Sequence, residues 1–139
     1  LEILGEGEKK KELGSLIEKY NLSKNITIKN FIDNMEEVMK EYSFFVMTSK
    51  YEGFGLVLVE AQATGLPVIS FDCKSGPKEI LQEGALLVDV GDEEALAKTI
   101  KAVLSDKEKA KKSIQKAFDG LNRFNYENSV QSFLKVIIK

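Results

Sequence analysis

Histidine is absent from these 139 residues, and cysteine occurs once, at Cys73. Without histidine, the chain itself cannot build a nucleophile of the Ser-His or Cys-His kind. One cysteine makes neither an internal disulfide nor a cysteine-rich zinc site. Cys73 follows a β-rich run and reads as a small packed residue, in keeping with a reducing compartment. An excess of basic charge is also lacking. Twenty Lys and Arg stand against 22 Asp and Glu, for a net charge of -2, so no broad positive field exists to hold a nucleic acid. The basic run KEKAKK (107–112) reads as a solvated helix face, with a membrane-facing patch as the alternative. No apolar run is long enough to cross a bilayer. There is no GxxxxGK[ST] phosphate loop. The GEGEKK stretch puts Lys10 where a dinucleotide fingerprint needs its third glycine, and Glu6 and Glu8 add unhelpful negative charge.

What remains is a globular composition, 43% hydrophobic and 30% charged, with the length of one ordinary domain. The opening LEILGEGE reads as the middle of a fold, so the expectation is an excised piece of a longer protein. Short β-type runs alternate with helical ones. Strands are expected at 1–4, 26–31, 43–48, 67–71 and 85–90. The continuous apolar run 43–48 suits burial on both faces. Helical spacing follows each run: Leu13, Leu16, Ile17 and Tyr20 in the first helix, a short helix opened by Asp33 or Asn34, LVLVEAQAT stopped by Gly65 and Pro67, and PKEILQE with Pro77 in its first turn. Helices are expected again at 92–104, 107–121 and 126–138. Such alternation predicts an α/β fold, a Rossmann-like parallel sheet with helices on both faces. Ligands of that architecture bind outside the carboxyl ends of the strands. The functional loops should therefore be 5–8, 30–33, 48–56, 72–77 and 89–92.

The central loop lies in YEGFGLVLVEAQATGLPVIS, an apolar stretch holding two carboxylates, Glu52 and Glu60. A helix opening near Leu56 presents free N–H groups and a positive dipole end. Gly53 and Gly55 let a ligand approach the backbone. These features suit phosphate oxygens. The carboxylates need a different partner, and a sugar diol accepts that role. Each such charge-assisted hydrogen bond is worth about 1.5–3 kcal/mol. A ribose, a diphosphate and a second sugar, together a nucleotide sugar, would satisfy the whole set. A purely structural alternative has Glu52 capping the helix and Glu60 paired with a lysine.

The same stretch resembles the signature of retaining glycosyltransferases of family four, which have the GT-B architecture. The likeness continues through GPKEIL, ALLVDVGDEEALAKTI and FNYENSVQSFLKVI, and includes LEILGEGE and NITIKNF upstream. It implies that residues 1–139 are the nucleotide-sugar-binding C-terminal domain, truncated at its start, with the N-terminal acceptor domain missing. It implies that Glu52 is the catalytic-site glutamate that positions the transferred sugar without acting as a covalent nucleophile. Gly53, Phe54, Gly55 and Leu56 would form the turn whose backbone meets sugar and diphosphate. Glu60 would bind the ribose hydroxyls, and Ser49 and Tyr51 would lead in near the nucleoside. Gly5 and Gly7 would approach the phosphates, and Phe31 and Ile32 would border the base. The family usually has glycine where Asn30 stands. Its diphosphate-binding arginine and lysine fall before residue 1, although Lys50 and Lys78 lie near the expected crevice.

The resemblance further implies sugar transfer with retention at the anomeric carbon and no bound metal or other cofactor. The donor would be a nucleotide diphosphate sugar, with a UDP-sugar as the default, and the acceptor a glycan or lipid-linked chain. Partners would be that donor and the missing domain, not nucleic acid. The expected setting is cytoplasmic, with peripheral association at the inner membrane face open to the full-length protein. The isolated chain should not catalyse transfer. Rival readings are a non-catalytic nucleotide-sugar-binding or docking module, and a sugar-nucleotide epimerase of related fold, which normally depends on histidine. In the last helix, Val130, Phe133, Leu134 and Ile137 line one face. The reading adopted is packing on the domain's own core, with contact to the missing domain as the alternative.

Overall fold

The computed structural model describes residues 1–82 and 86–137. The start of the expected strand at 85, the end of the expected helix at 83 and Ile138 lie outside them. The chain divides into two compact units, Leu1–Met35 and the remainder from Glu36 on.

In the first unit, strand β1 (Glu2–Leu4) is followed by helix α1 (Lys10–Lys19) and strand β2 (Thr27–Lys29). The strands pair in parallel, with Glu2 opposite Thr27, Ile3 opposite Ile28 and Leu4 opposite Lys29. A crossover helix between two such strands is the connection that parallel pairing requires. The apolar spacing of α1 correctly gave a helix, yet Leu13, Leu16 and Tyr20 are exposed.

The second unit continues with α2 (Met35–Met39), β3 (Phe45–Met47), α3 (Leu56–Ala63), β4 (Val68–Phe71), α4 (Pro77–Leu81) and β5 (Leu86–Val88). Helices α5 (Glu93–Ser105), α6 (Lys107–Gly120) and α7 (Tyr126–Ile137) complete it, with a 3₁₀ turn at Leu121–Phe124 before α7. Its three strands pair in parallel in the order β3-β4-β5, Phe45 opposite Val68 and Ile69 opposite Leu86. All four residues of β4 are buried. Successive strand side chains point to opposite faces, so this strand is covered on both sides. Helices α3, α4 and α5 pack against it. Double-sided burial was expected of the run at 43–48. The structure moves it one strand on, because β4 is central in the sheet while Phe45 and Val46 of β3 are only half-buried.

Local chemistry sets the later helix ends. Asp92 caps α5 by accepting from the Ala95 N–H at 2.9 Å, and Asn125 accepts from the Asn128 N–H at 2.8 Å at the start of α7. The terminal helix departs from expectation. Val130 is half-buried, but Phe133, Leu134 and Ile137 are exposed and no residue of α7 is buried. Its apolar face is not packed on the core of this unit.

Candidate functional site

Parallel pairing places the carboxyl ends of β3, β4 and β5 together, and with them the loops 48–55, 72–76 and 89–92. The first of these holds Ser49, Tyr51, Glu52, Gly53, Phe54 and Gly55, and it runs into α3 at Leu56. Gly55 is the residue before the helix, with φ +90° and ψ +49°, the left-handed region that a side chain resists. No side chain caps α3. The opening N–H groups of this helix are therefore free of protein side-chain acceptors, and its positive dipole end faces out of the turn.

The two glutamates differ in setting. Glu52 is half-buried at the start of the turn, whereas Glu60 is exposed one turn into α3. The structural alternative for them fails. Glu52 does not cap α3, and among the described residues neither carboxylate forms an ion pair or a side-chain hydrogen bond. Two carboxylates near an uncapped helix start, both without protein partners, leave acceptor capacity for something else.

The second loop closes on the first. A Cβ built on Gly76 would lie 2.3 Å from the Phe54 carbonyl oxygen and 3.6 Å from Glu52 Cβ. Gly76 itself sits at φ +96° and is buried. The backbone of loop 72–76 thus lies directly against the residues that carry Glu52. Cys73, in the same loop, is buried, and its thiol lies 3.9 Å from the Ser75 carbonyl. Burial pushes the Cys73 thiol up from its usual 9.0, and the neighbouring Glu52 carboxylate adds to that shift. Cys73 is therefore buried within electrostatic reach of Glu52. The sequence had marked it as packed without placing it there.

Tyr51 is exposed, Ser49 is half-buried, and Leu56 is exposed at the first position of α3. Lys50 and Lys78 are both exposed. The remaining expected site residues belong to the first unit. There Gly5 and Gly7 follow β1, while Asn30, Phe31 and Ile32 follow β2, at the same end of the parallel pair. The Gly5 N–H extends the ladder by donating to the Lys29 carbonyl at 3.1 Å, and Lys10 Nζ donates to Asn30 Oδ1. Phe31 is 68% exposed, which leaves its ring available.

Sequence reasoning missed the partners that fix the turn. Gly76 was noted only as part of a loop, although a glycine directly before a helix-opening proline is a usable signal. Phe124 opens the FNYENSVQSFLKVI stretch of the resemblance but was given no role there, and Arg123 gave no signal beyond its place between two helices. An apolar hollow of about 320 Å³, lined by Ser43, Leu66, Pro67, Leu104, Lys111 and Ile114 among others, opens at the amino-terminal ends of β3 and β4. It lies at the opposite end of the sheet from Glu52. Among the described residues no helix is long and apolar enough to cross a membrane.

Comparison with known proteins bears on the family and the fold. Over 116 residues the chain is 35% identical to the amylovoran biosynthesis glycosyltransferase AmsD of Erwinia amylovora, covering 84% of this chain and 33% of AmsD. It is 34% identical over 140 residues to a Campylobacter jejuni transferase, the N-acetylgalactosamine-N,N'-diacetylbacillosaminyl-diphospho-undecaprenol 4-alpha-N-acetylgalactosaminyltransferase, covering 99% of this chain and 38% of that protein. The chain thus spans about a third of the length of these relatives. Among solved structures, a variant of S. aureus TarM in complex with Fondaparinux, alpha-GlcNAc-glycerol and UDP superposes with a TM-score of 0.90 at 26% identity, over 96% of this chain and 28% of that one. Anabaena HepE in complex with UDP-glucose superposes with a TM-score of 0.87 at 25% identity, over 98% of this chain and 40% of that one. These structures share the parallel α/β, Rossmann-like fold of GT-B glycosyltransferases. The family model described as glycosyl transferases group 1 matches residues 1–119. The chain belongs to that family.

Proposed function

We infer that this chain is the nucleotide-sugar-binding part of a retaining glycosyltransferase of family four. The observation that carries the reading is the pair of carboxylates, Glu52 and Glu60, left without partners among the described residues beside the uncapped start of α3. In a family of glycosyl transferases, that set fits a donor with a diphosphate between two polyol rings. The α3 N–H groups receive phosphate oxygens, Glu52 accepts from hydroxyls of the transferred sugar, and Glu60 accepts from the ribose diol. Gly53, Phe54 and Gly55 bring backbone close to the donor, and Ser49 and Tyr51 lead in. In the first unit, the proposed roles are phosphate approach for Gly5 and Gly7 and a border to the base for Phe31 and Ile32.

The presence of UDP or UDP-glucose in the two matched structures supports a uridine diphosphate donor. The relatives named for amylovoran and for a diphospho-undecaprenol acceptor support a glycan or lipid-linked acceptor. Glu52 orients the sugar so that its anomeric carbon faces an incoming hydroxyl. The departing diphosphate is stabilised by helix N–H groups and cations and needs no bound metal. Acceptor binding and transfer belong to the whole protein, since the chain corresponds to about a third of its relatives.

Titration of UDP and UDP-glucose into the wild type, Glu60→Ala and Glu52→Gln tests these roles. Glu60→Ala should weaken binding of both by about 1–3 kcal/mol. Glu52→Gln should weaken UDP-glucose and spare UDP. Equal affinities in all three proteins would refute the assignment. A full-length protein inactive against every nucleotide sugar would instead indicate a binding module.

A further inference from the structure

Phe54 lies at the centre of the turn that carries Glu52, and two separate parts of the second unit hold it. On the backbone side, the Phe54 carbonyl meets Gly76. On the ring side, Phe54 meets Phe124 edge to face, with centroids 5.8 Å apart and planes at 84°. Phe124 is fixed in turn by Arg123, whose guanidinium lies 4.5 Å from its ring centroid. Arg123 Nη2 donates to the Glu79 carbonyl at 2.9 Å and also to the Ile80 carbonyl. Those oxygens belong to the end of α4, where helix carbonyls lack partners of their own and a cation is favoured. The helix terminates there at Gln82, with φ +47°. One arginine thus joins the helix after loop 72–76 to the ring that braces loop 48–55.

The geometry points to an Arg123–Phe124 clamp that positions Glu52 for the transferred sugar, an inference resting on the donor-site reading above. The Glu52 side chain has no hydrogen bond or ion pair among the described residues, so its placement depends on the backbone that bears it. That backbone is a run of three residues with a glycine on each side of Phe54. Such a segment has little stiffness of its own. Phe54 remains 40% exposed, so its contact with Phe124 removes little apolar area from water and chiefly restricts orientation. Arg123 and Phe124 act on Glu52 through Phe54 and α4. They are positioning residues.

Three variants separate positioning from plain stability: Phe124→Leu, which keeps apolar volume but loses the ring edge; Phe124→Tyr, which keeps it; and Arg123→Gln. The readout is the ratio of UDP to UDP-glucose dissociation constants in the full-length protein, well below the melting temperature. Phe124→Leu and Arg123→Gln should lower the preference for UDP-glucose by about 2- to 10-fold, the scale of one aromatic pair. UDP affinity should be unchanged, and Phe124→Tyr should retain the wild-type ratio. A ratio that stays constant while thermal stability falls would overturn the clamp. So would equal weakening of both ligands. If the wild type binds neither ligand, the donor-site reading fails, and a second measurement decides the clamp alone. Cys73 is the single cysteine and is buried in loop 72–76, which packs against the turn through Gly76, so its alkylation by iodoacetamide reports loosening of the turn. Labelling should be faster in Phe124→Leu than in wild type and Phe124→Tyr while all three are folded. Equal rates would refute the clamp.

Discussion

The glycines after β1, like Gly53 in the turn after β3, have open surroundings, whereas Gly55 and Gly76 are hemmed in. A Cβ added at Gly5 or Gly7 would meet nothing within 4 Å. A Cβ at Gly55 would lie 3.2 Å from Leu58 Cδ1, and one at Gly76 would collide with the Phe54 carbonyl oxygen. The second set is required by the protein's own packing. At Gly7, with no neighbour and no left-handed φ, the fold makes no demand for glycine. A glycine that the fold does not need is free to serve a ligand, whereas a glycine wedged between two loops serves the site by holding its parts together. The difference separates two reasons for the same residue type, and substitution tells them apart.

Gly76→Ala should do the most damage. The new methyl would collide with backbone, which has no rotamer to escape into, at a φ of +96°. Overpacking and backbone strain together predict a loss of about 2–6 kcal/mol, measurable by urea denaturation. A loss below about 1 kcal/mol would mean that loops 48–55 and 72–76 do not press together. Gly55→Ala should cost less, about 1–3 kcal/mol, because its close neighbour is a leucine methyl able to shift while the strained φ of +90° remains.

Smaller still is an alkaline effect at Cys73. Its folded-state titration lies above 9.0, so the folded protein holds this proton more tightly than the unfolded chain does. The associated stability is complete below the unfolded value and is lost as pH rises from there through the folded one. Wild type should therefore lose more stability than Cys73→Ala between neutral pH and pH values above 9 in parallel denaturation curves. Matching pH profiles would show that burial and Glu52 do not act on this thiol. Gly7→Ala should have the smallest effect on folding, within about 0.5 kcal/mol. If that variant also binds UDP as well as wild type, the open turn after β1 has no ligand role, and the contrast between the two sets of glycines loses its functional half.

Much of the architecture was legible beforehand because its causes are local. Pro77 in a first turn and the glycine–proline stop after α3 mark element ends within a few residues. The alternation of strand and helix then leaves parallel pairing as the natural outcome. The strand buried on both faces was assigned one position early, since 43–48 and 67–71 are both continuous apolar runs and only pairing order makes β4 central. The apolar spacing of α7 was read correctly as helical, but its burial was not, because periodicity shows that a face exists and not what covers it.

Composition, periodicity and the YEGFG stretch were enough to determine an α/β fold with parallel strands and two carboxylates around a helix start. Each of those features depends on residues within one or two turns of one another. The tertiary structure alone decided that Gly76 closes on Phe54, that Cys73 is buried within electrostatic reach of Glu52, and that Arg123 ties α4 to the ring bracing Phe54. These contacts join positions that are about 20 to 70 residues apart, as with Phe54 and Phe124. Their geometry depends on how the sheet brings its loop ends together, and no local spacing encodes that.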